Sequence, residues 1–361
     1  MTPSSPKYLR IYKEILRQIQ EQRFLPGDVL PTENDLCRQY GVSRPTVARA
    51  LKRLSDEKLV QRRAGFGTRV LAPGNTLPLA GLLIPQYAET EIFQPICASI
   101  AEAAGIEGMR ILNPTDLNLA GDLKKLALSL TDQLIEAKVQ GVFFAPTEHI
   151  ADSAAFNLSI LERLTGEGIH VVLLDRDIYR WPRQTSFEMI GIDNVEAGYL
   201  LATHLLDQGC ERLAFVTRGK PAATVYLRRM GCREALRQRG IDPATLGNVI
   251  ESAAQPGKAA AELLADGVDG VICANDATAS TLLRSLLDAG AKIPQEIKVC
   301  GFDDVKYASL LSVPLTTYRQ PCQDIGRVAA NVMIRRIRYP NMPVLRITLK
   351  GELVVRESSS V

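Results

Sequence analysis

The stretch TENDLCRQYGVSRPTVARALKRL, residues 32–54, decides how the front of this chain folds. Thr32 is a residue type that caps a helix start, and Glu33 and Asp35 suit the positive end that follows it. Leu36 and Tyr40 lie four apart on one face, and Gly41 is placed to stop the helix. Ser43 is then the expected cap of a further helix, with Pro45 tolerated in its first turn. Val47, Ala50, Leu51 and Leu54 recur at helical spacing and point one way, while Arg44, Thr46, Arg49 and Arg53 point largely the other. Two short helices joined by Tyr40-Gly41-Val42-Ser43 predict a helix-turn-helix whose second member can lie in a DNA major groove.

Upstream, Tyr8, Ile11, Tyr12, Ile15, Leu16 and Ile19 predict an amphipathic helix over residues 7–22, broken by Pro26-Gly27. Downstream, residues 59–63 and 68–71 read as two strands around the turn Ala64-Gly65-Phe66-Gly67. Residues 1–70 hold 14 Lys+Arg against 7 Asp+Glu, whereas the remainder holds 29 against 33. A basic front on a slightly acidic body points to a polyanion partner for the front. Arg44 and Arg49 can each reach guanine O6 and N7 in bidentate fashion. Thr46 can meet a phosphate or a thymine methyl, and Ser43 can cap the helix or bind a phosphate. Gly65 and Gly67 keep the hairpin tip thin, and Arg62, Arg63 and Arg69 beside it are expected to contact phosphates. One arginine on an exposed helix face is ordinary solvation; the ordered combination argues for DNA.

Pro26-Gly27, Leu30-Pro31-Thr32-Glu33, Leu36, Tyr40-Gly41-Val42-Ser43-Arg44, Thr46-Val47, Ala50-Leu51, Leu54, Leu59-Val60 and Gly65-Phe66-Gly67-Thr68 resemble the winged helix-turn-helix of GntR-family transcription regulators. The resemblance covers residues 7–71. It implies DNA contacts from Asn34, Arg44, Thr46, Arg49 and the wing at Gly65. Pro45 departs from the family pattern and removes an amide that could have reached a phosphate.

Beyond residue 71 the style changes. Residues 72–78, rich in Pro and Gly, read as a linker. Short apolar runs at 79–85, 141–146, 170–175, 212–217, 270–274 and 297–302 then alternate with helical stretches at 93–104, 122–137, 157–167, 194–208, 226–239, 257–266 and 277–289. Near-continuous apolar strands separated by helices predict an α/β body with doubly wound parallel sheets. The pattern restarts near Gly191, so two lobes are expected to face each other across a cleft. Asp175, Arg176, Asn275 and Asp303 fall at or just after the C-terminal ends of expected strands, where loops open into that cleft. Together with Arg228 on a helix, their carboxylates, amide and guanidinium groups suit a sugar's vicinal hydroxyls. A helix cap is the simpler role for Asp276 and an equal reading for Asp304. Phe93, Tyr87 or Trp181 could stack on a sugar face or simply pack.

Ile190-Gly191-Ile192-Asp193-Asn194, Gly198, Arg228 with Gly231, Ala274-Asn275-Asp276, Gly301-Phe302-Asp303-Asp304, Leu315-Thr316-Thr317 and residues 352–359 resemble the effector domain of LacI/GalR-family repressors, itself similar to periplasmic sugar-binding proteins. This implies a ligand contact from Gln320 at a lobe crossing. It also implies that the chain crosses between lobes near 190, 320 and 345. The expected division is a DNA-binding domain at 1–71, a linker at 72–78 and a ligand-binding domain at 79–361. Within that domain, lobe 1 takes 79–190 and 322–343, and lobe 2 takes 191–321 and 344–361. The whole then reads as a homodimeric repressor on a pseudo-palindromic operator, answering to a small polar molecule, most simply a carbohydrate.

Composition bounds the alternatives. With 46% hydrophobic and 23% charged residues, the chain is globular in type rather than disordered. No apolar run is long enough for a membrane span, and the charged first 25 residues do not read as a secretory signal, so a cytoplasmic protein is expected. Seven scattered cysteines without CxxC spacing and three separated histidines give no metal site and no catalytic constellation. No lysine has the surroundings of a pyridoxal-phosphate Schiff base, which some GntR-headed enzymes use, and no cofactor is expected. A purine or other metabolite acting as co-repressor remains an alternative to the sugar.

Overall fold

The computed structural model describes residues 6–360 apart from 22, 64–65, 72–76, 88–90, 117–118, 120, 220, 253 and 256. Gly65 and most of the expected linker therefore lie outside the described residues.

The head consists of α1 (Lys7–Gln20), α2 (Glu33–Tyr40), α3 (Arg44–Asp56) and an antiparallel pair, β1 (Val60–Arg63) with β2 (Gly67–Val70). Val29 adds a bridge to Arg69. Ile11, Ile15, Leu36, Val47, Ala50, Leu51, Leu54, Val60 and Val70 form its core. Thr32 caps α2: its hydroxyl accepts from the Asp35 amide, and the Asp35 carboxylate accepts from the Thr32 amide. Gly41 ends α2 with a φ of 61°, a left-handed conformation that favours glycine. Ser43 precedes α3, but its side chain accepts no helix amide. Pro45 has no N–H to offer, and the Thr46 amide goes to the Ser43 carbonyl at 3.0 Å. The Ser43 hydroxyl pairs with that of Thr46 instead, at 2.9 Å.

The first lobe is a six-stranded, wholly parallel sheet. Its members are β3 (Leu79–Leu83), β4 (Arg110–Leu112), β5 (Gly141–Phe144), β6 (His170–Leu174), β7 (Glu188–Ile192) and β13 (Arg346–Leu349), in the order β13-β7-β6-β5-β3-β4. Helices α5 (Leu123–Glu136) and α6 (Ser153–Gly166) cover one face, while α4 (Phe93–Ile106) and α11 (Cys322–Arg338) cover the other. The second lobe repeats the plan with β8 (Leu213–Thr217), β9 (Gly247–Ile250), β10 (Gly270–Cys273), β11 (Lys298–Asp303), β12 (Thr316–Arg319) and β14 (Glu352–Val354). Their order is β14-β12-β11-β10-β8-β9, and only β14 runs antiparallel to its neighbour. Its helices are α7 (Asn194–Asp207) and α8 (Ala223–Gln238) on one face, α9 (Lys258–Ala265) and α10 (Asp276–Asp288) on the other.

The third crossing differs from the expected one near 345. Ile347 pairs with Ile190 in β7, so residues through Leu349 extend the first lobe's sheet and the return to the second lobe comes only with β14. Residues 191 and 192 likewise stay in the first lobe, as the end of β7. The segment after β14 closes the second lobe: Ser358 is fully buried, accepts from the Thr316 amide at 2.8 Å and donates to the Val299 carbonyl at 2.6 Å.

Two helix pairs need a missing side chain. A Cβ on Gly198 of α7 would sit 1.9 Å from the Arg228 carbonyl oxygen of α8, and one on Gly326 of α11 would sit 2.4 Å from the Ile96 carbonyl oxygen of α4. Only glycine lets these backbones approach so closely.

Candidate ligand cleft and nucleic-acid interface

In both sheets the strand order reverses between the first strand and its second neighbour, β3/β5 and β8/β10. That is where open α/β sheets bind ligands, beyond the C-terminal ends of the strands. Asp175 and Arg176 follow β6 there, and Asp303 ends β11. Asp175 and Asp303 have φ values of 69° and 109°, conformations that cost a side-chain-bearing residue free energy and that concentrate at binding sites.

From the first lobe, the buried Arg176 guanidinium forms ion pairs with Glu148 and, at 3.4 Å, with Asp175, and lies 5.4 Å over the Phe93 ring. Burial works against its charge, yet Glu148 and Asp175 outweigh burial and raise its pKa. From the second lobe, Arg228 is buried by the close α7–α8 contact. It donates to Asn194 Oδ1 at 2.9 Å and to the Ala274 carbonyl at 2.6 Å, and lies 4.4 Å over Phe302. Gln320, at the second crossing, donates to Asp303 Oδ1 at 2.7 Å. Burial pushes the Asp303 carboxyl up to about 6, against the pull of Arg228 and Gln320. Asp175 Oδ1, Thr147 Oγ1 and Gln320 Oε1 are buried and make no hydrogen bond, and Arg176 Nε has only the 3.4 Å approach of Asp175 Oδ2. Such groups are costly unless something fills them, and here they converge on the cleft.

Other expected residues do different work. Asn275 is the cap of α10; its Oδ1 accepts from the Thr278 amide at 2.9 Å and hydroxyl at 2.7 Å. The expected cap, Asp276, is fully buried, accepting from Thr317 and from the Val305 amide, and burial beside Asp303 raises its pKa well above the carboxylate range. Asp304 is held by Arg319 and Arg356 at 2.6 and 2.7 Å and caps nothing. Of the aromatics, Phe93 reaches the cleft, whereas Tyr87 and Trp181 are exposed by 37% and 53%. Thr147 and Glu148 had escaped notice, although they follow β5 as Asp175 follows β6. The rule that selected Asp175 selects them too.

On the head, Asn34, Ser43, Arg44 and Arg49 are exposed and Thr46 is half-buried. Arg49 lies 4.3 Å over Tyr8, while Arg44 pairs at 2.9 Å with Glu33, which also holds Arg62. The wing arginines depart from expectation. Arg63 donates to the carbonyls of Gly105 and Ile106 at the end of α4, at 3.1 and 3.0 Å. Arg69 pairs with Glu107 at 2.7 Å and donates to the Gly27 carbonyl. Arg338, at the end of α11, pairs with Asp28 at 3.4 Å. Arg63 and Arg69 therefore both contact the first lobe, Arg63, still exposed, through the free carbonyls at the end of α4 and Arg69 through the Glu107 carboxylate.

A basic helix-turn-helix head joined to a two-lobed α/β body with a polar cleft defines a class: two-module binding proteins. The profile of bacterial regulatory proteins of the gntR family matches residues 7–70, and that of periplasmic binding protein-like domains matches residues 202–359. The match is thus of gntR type over the head and of periplasmic-binding-protein type over the second half of the body. It is 27% identical over 370 residues to the arabinose metabolism transcriptional repressor of Geobacillus stearothermophilus, covering 98% of each chain. It is also 27% identical to the ribose operon repressor of Escherichia coli K12 over 91% of this chain and 100% of that one. Among solved structures, a LacI family transcriptional regulator from Enterococcus faecium with bound ribose superposes with a TM-score of 0.64 at 24% identity, over 78% of this chain and 98% of that one. A CelR–cellobiose complex gives 0.66 at 24%, over 88% and 91%. At this identity the structures establish the fold. Among the described residues no helix is long and apolar enough to cross a membrane, and no cluster could hold a metal.

Proposed function

We propose that this chain is a one-component transcription repressor of the cytoplasm, acting by binding and not by turnover. Its head reads DNA through α3, with Asn34, Ser43, Arg44, Thr46, Arg49 and the wing at Gly65 in contact. Its cleft takes a sugar through Asp175, Arg176, Arg228, Asn275, Asp303 and Gln320. Relatives that are arabinose and ribose repressors along nearly their whole length support this. The observation that carries it is the set of unpartnered buried donors and acceptors from the first lobe and the second crossing, meeting in one cleft.

Two helices supply the route from sugar to DNA. α4 begins with Phe93 under Arg176 and ends at the carbonyls that hold Arg63; α11 begins just after Gln320 and ends at Arg338 against the head. Lobe closure moves the starts of both helices, and their ends carry the motion to the head. Such coupling requires different sugar affinity in the DNA-bound and DNA-free states. A symmetric dimer would place two heads on half-sites about one helical turn apart.

The test is fluorescence anisotropy on a DNA site recovered by in vitro selection, with and without a panel of mono- and disaccharides. A sugar that binds the protein is expected to change operator affinity at least tenfold, within the usual range of allosteric coupling, about 5–150-fold. If every bound sugar leaves operator affinity unchanged, the reading is wrong. Arg49→Ala is expected to weaken operator binding by about 1–3 kcal/mol while leaving sugar affinity intact.

A further inference from the structure

Beside the sugar contacts lies a cavity of about 360 Å³, walled by Thr147, Glu148, Arg176 and Arg180 from the first lobe and by Pro221 and Ala222 from the second. Two helices from different lobes begin at it. Ser153 and Ala154, the first residues of α6, line it, as do Ala222 and Ala223 at the start of α8. The amides of a helix's first turn have no acceptor within the helix. Here the preceding side chains supply none: Asp152 stands before α6 and Ala222 before α8, and neither caps its helix. The second lobe's α7 and α10 are different, since Asp193 accepts from two amides of α7 and Asn275 caps α10.

Free amides alone define no site, but two buried polar side chains line the same space. Thr147 is 1% exposed and its Oγ1 makes no hydrogen bond. Arg176 is 6% exposed, and its Nε has only the 3.4 Å approach of Asp175. Hydroxyl, guanidinium and helix amides all donate, and an anion accepts from every one of them. The two carboxylates on the lining are both taken. Glu148 is held by Arg176 Nη1, which leaves that guanidinium further donors. Asp177 is paired with Arg346 at 2.9 Å and accepts from the Tyr179 and Thr185 amides at 3.1 and 3.0 Å. Arg180, exposed on the lining, adds a cation.

We infer that the effector carries an anionic group, a phosphate ester or a carboxylate, and that this cavity receives it between the starts of α6 and α8. The proposal deepens the sugar-sensor reading and rests on it: the ring meets Asp175, Arg228 and Asp303, and the charge sits beyond Arg176. The positive end of a helix acts only at short range, so an anion gains from both starts when the two lobes are close. The charge then favours the closed cleft and supplies the difference in affinity that coupling to the head requires.

The test is calorimetric titration of the full chain with D-ribose, L-arabinose, D-galactose and D-glucose, each against its terminal phosphate and, for the two hexoses, against its uronate. At least one anion is expected to bind about tenfold or more tighter than its neutral counterpart, the scale of attraction to two helix starts. The phosphate and uronate arms show which group the cavity takes. Ala222→Asp is expected to abolish the preference, because it sets a carboxylate at the start of α8. The same substitution caps that helix, so a lost preference with an unchanged or raised Tm is not a loosened fold. Thr147→Val, which removes the unpaired hydroxyl at nearly constant volume, should shrink the ratio several-fold. If every neutral sugar binds at least as tightly as its anionic counterparts, or a folded Ala222→Asp protein keeps the preference, the inference is overturned and the sugar sensor stands. If no neutral and no anionic sugar binds, the sugar-sensor reading falls, and this inference with it.

Discussion

Both lobes bury side-chain oxygens without hydrogen-bond partners, Asp175 Oδ1 and Thr147 Oγ1 in the first and both Glu251 oxygens in the second, but the second lobe's Arg228 and Asn275 spend hydrogen bonds on Asn194, Ala274 and Thr278. The sheets share one strand order, so the difference lies in the loops. The first lobe also receives the described head contacts, through Gly105, Ile106, Glu107 and Arg338. The described head contacts thus fall on the first lobe, while Arg228 and Asn275 of the second are held by that lobe's own hydrogen bonds. Equal fold does not distribute work equally.

Four measurements can break or sharpen this contrast. The largest effect is expected from Asp175→Ala, which removes both Oδ1, an acceptor without a hydrogen bond, and the carboxylate paired with Arg176. Sugar affinity should fall about 100-fold, since a hydrogen bond to a charged group contributes roughly 1.5–3 kcal/mol. A smaller loss than that of the second-lobe variant Asn275→Ala would reverse the assignment of the lobes.

Next comes pH. Burial raises the Asp303 carboxyl to about 6, so the sugar-free protein takes up a proton there as pH falls through 6. A sugar hydroxyl that donates to the ionised form competes with that proton. Affinity should be full above pH 6 and fall by at most about tenfold per unit below it. Asp303→Asn should flatten the profile, and a wild-type affinity that rises on acidification would contradict the role of Asp303 as acceptor.

Glu107→Ala frees Arg69 at the head contact. The sugar's effect on operator affinity should shrink several-fold, by about 1 kcal/mol of coupling, with sugar affinity unchanged. Because both side chains are partly exposed, stability should change by less than about 1 kcal/mol. Anisotropy with and without sugar checks the first, and urea unfolding the second. The smallest binding effect belongs to Asn275→Ala. Loss of the α10 cap should cost about 1 kcal/mol of stability, seen as a lower Tm, while sugar affinity falls about threefold, since Oδ1 is committed to Thr278 and only the side-chain amide nitrogen is left for the ligand.

Much of the fold was legible because most inner strands carry continuous apolar runs; β7 and β12, also inner, carry Glu188 and Thr316-Thr317 and no such run. β3, β5, β6, β8, β10 and β11 all lie where those runs do, since strands buried on both faces leave no room for polar residues. The edge strands were not. β4 and β9 are three and four residues long and half-exposed, and nothing in their pattern separates them from loop. α11 went unassigned as a helix although Ile325, Ala329, Val332 and Met333 mark its buried face. The site was legible where chemistry follows a strand end, at Asp175 and Asp303. It was misread where neighbouring positions trade roles: Asn275, not Asp276, caps α10, and a sequence offers both residues as equally good caps. The turn of Arg63 and Arg69 toward α4 depends on contacts about 40 positions away, which local pattern cannot carry.

The threefold passage between lobes has a consequence for how the chain reaches its native state. The first lobe is not finished until Arg336 of α11 meets Glu188, 148 positions earlier, and β13 joins β7. The second waits still longer, for Ser358 to fasten to Val299. Neither lobe is an uninterrupted piece of gene, so excising one at a single cut leaves an open sheet edge rather than a miniature protein. Assembly governed by such distant pairings is slow, and the half-built sheets it exposes on the way are the material from which aggregates grow.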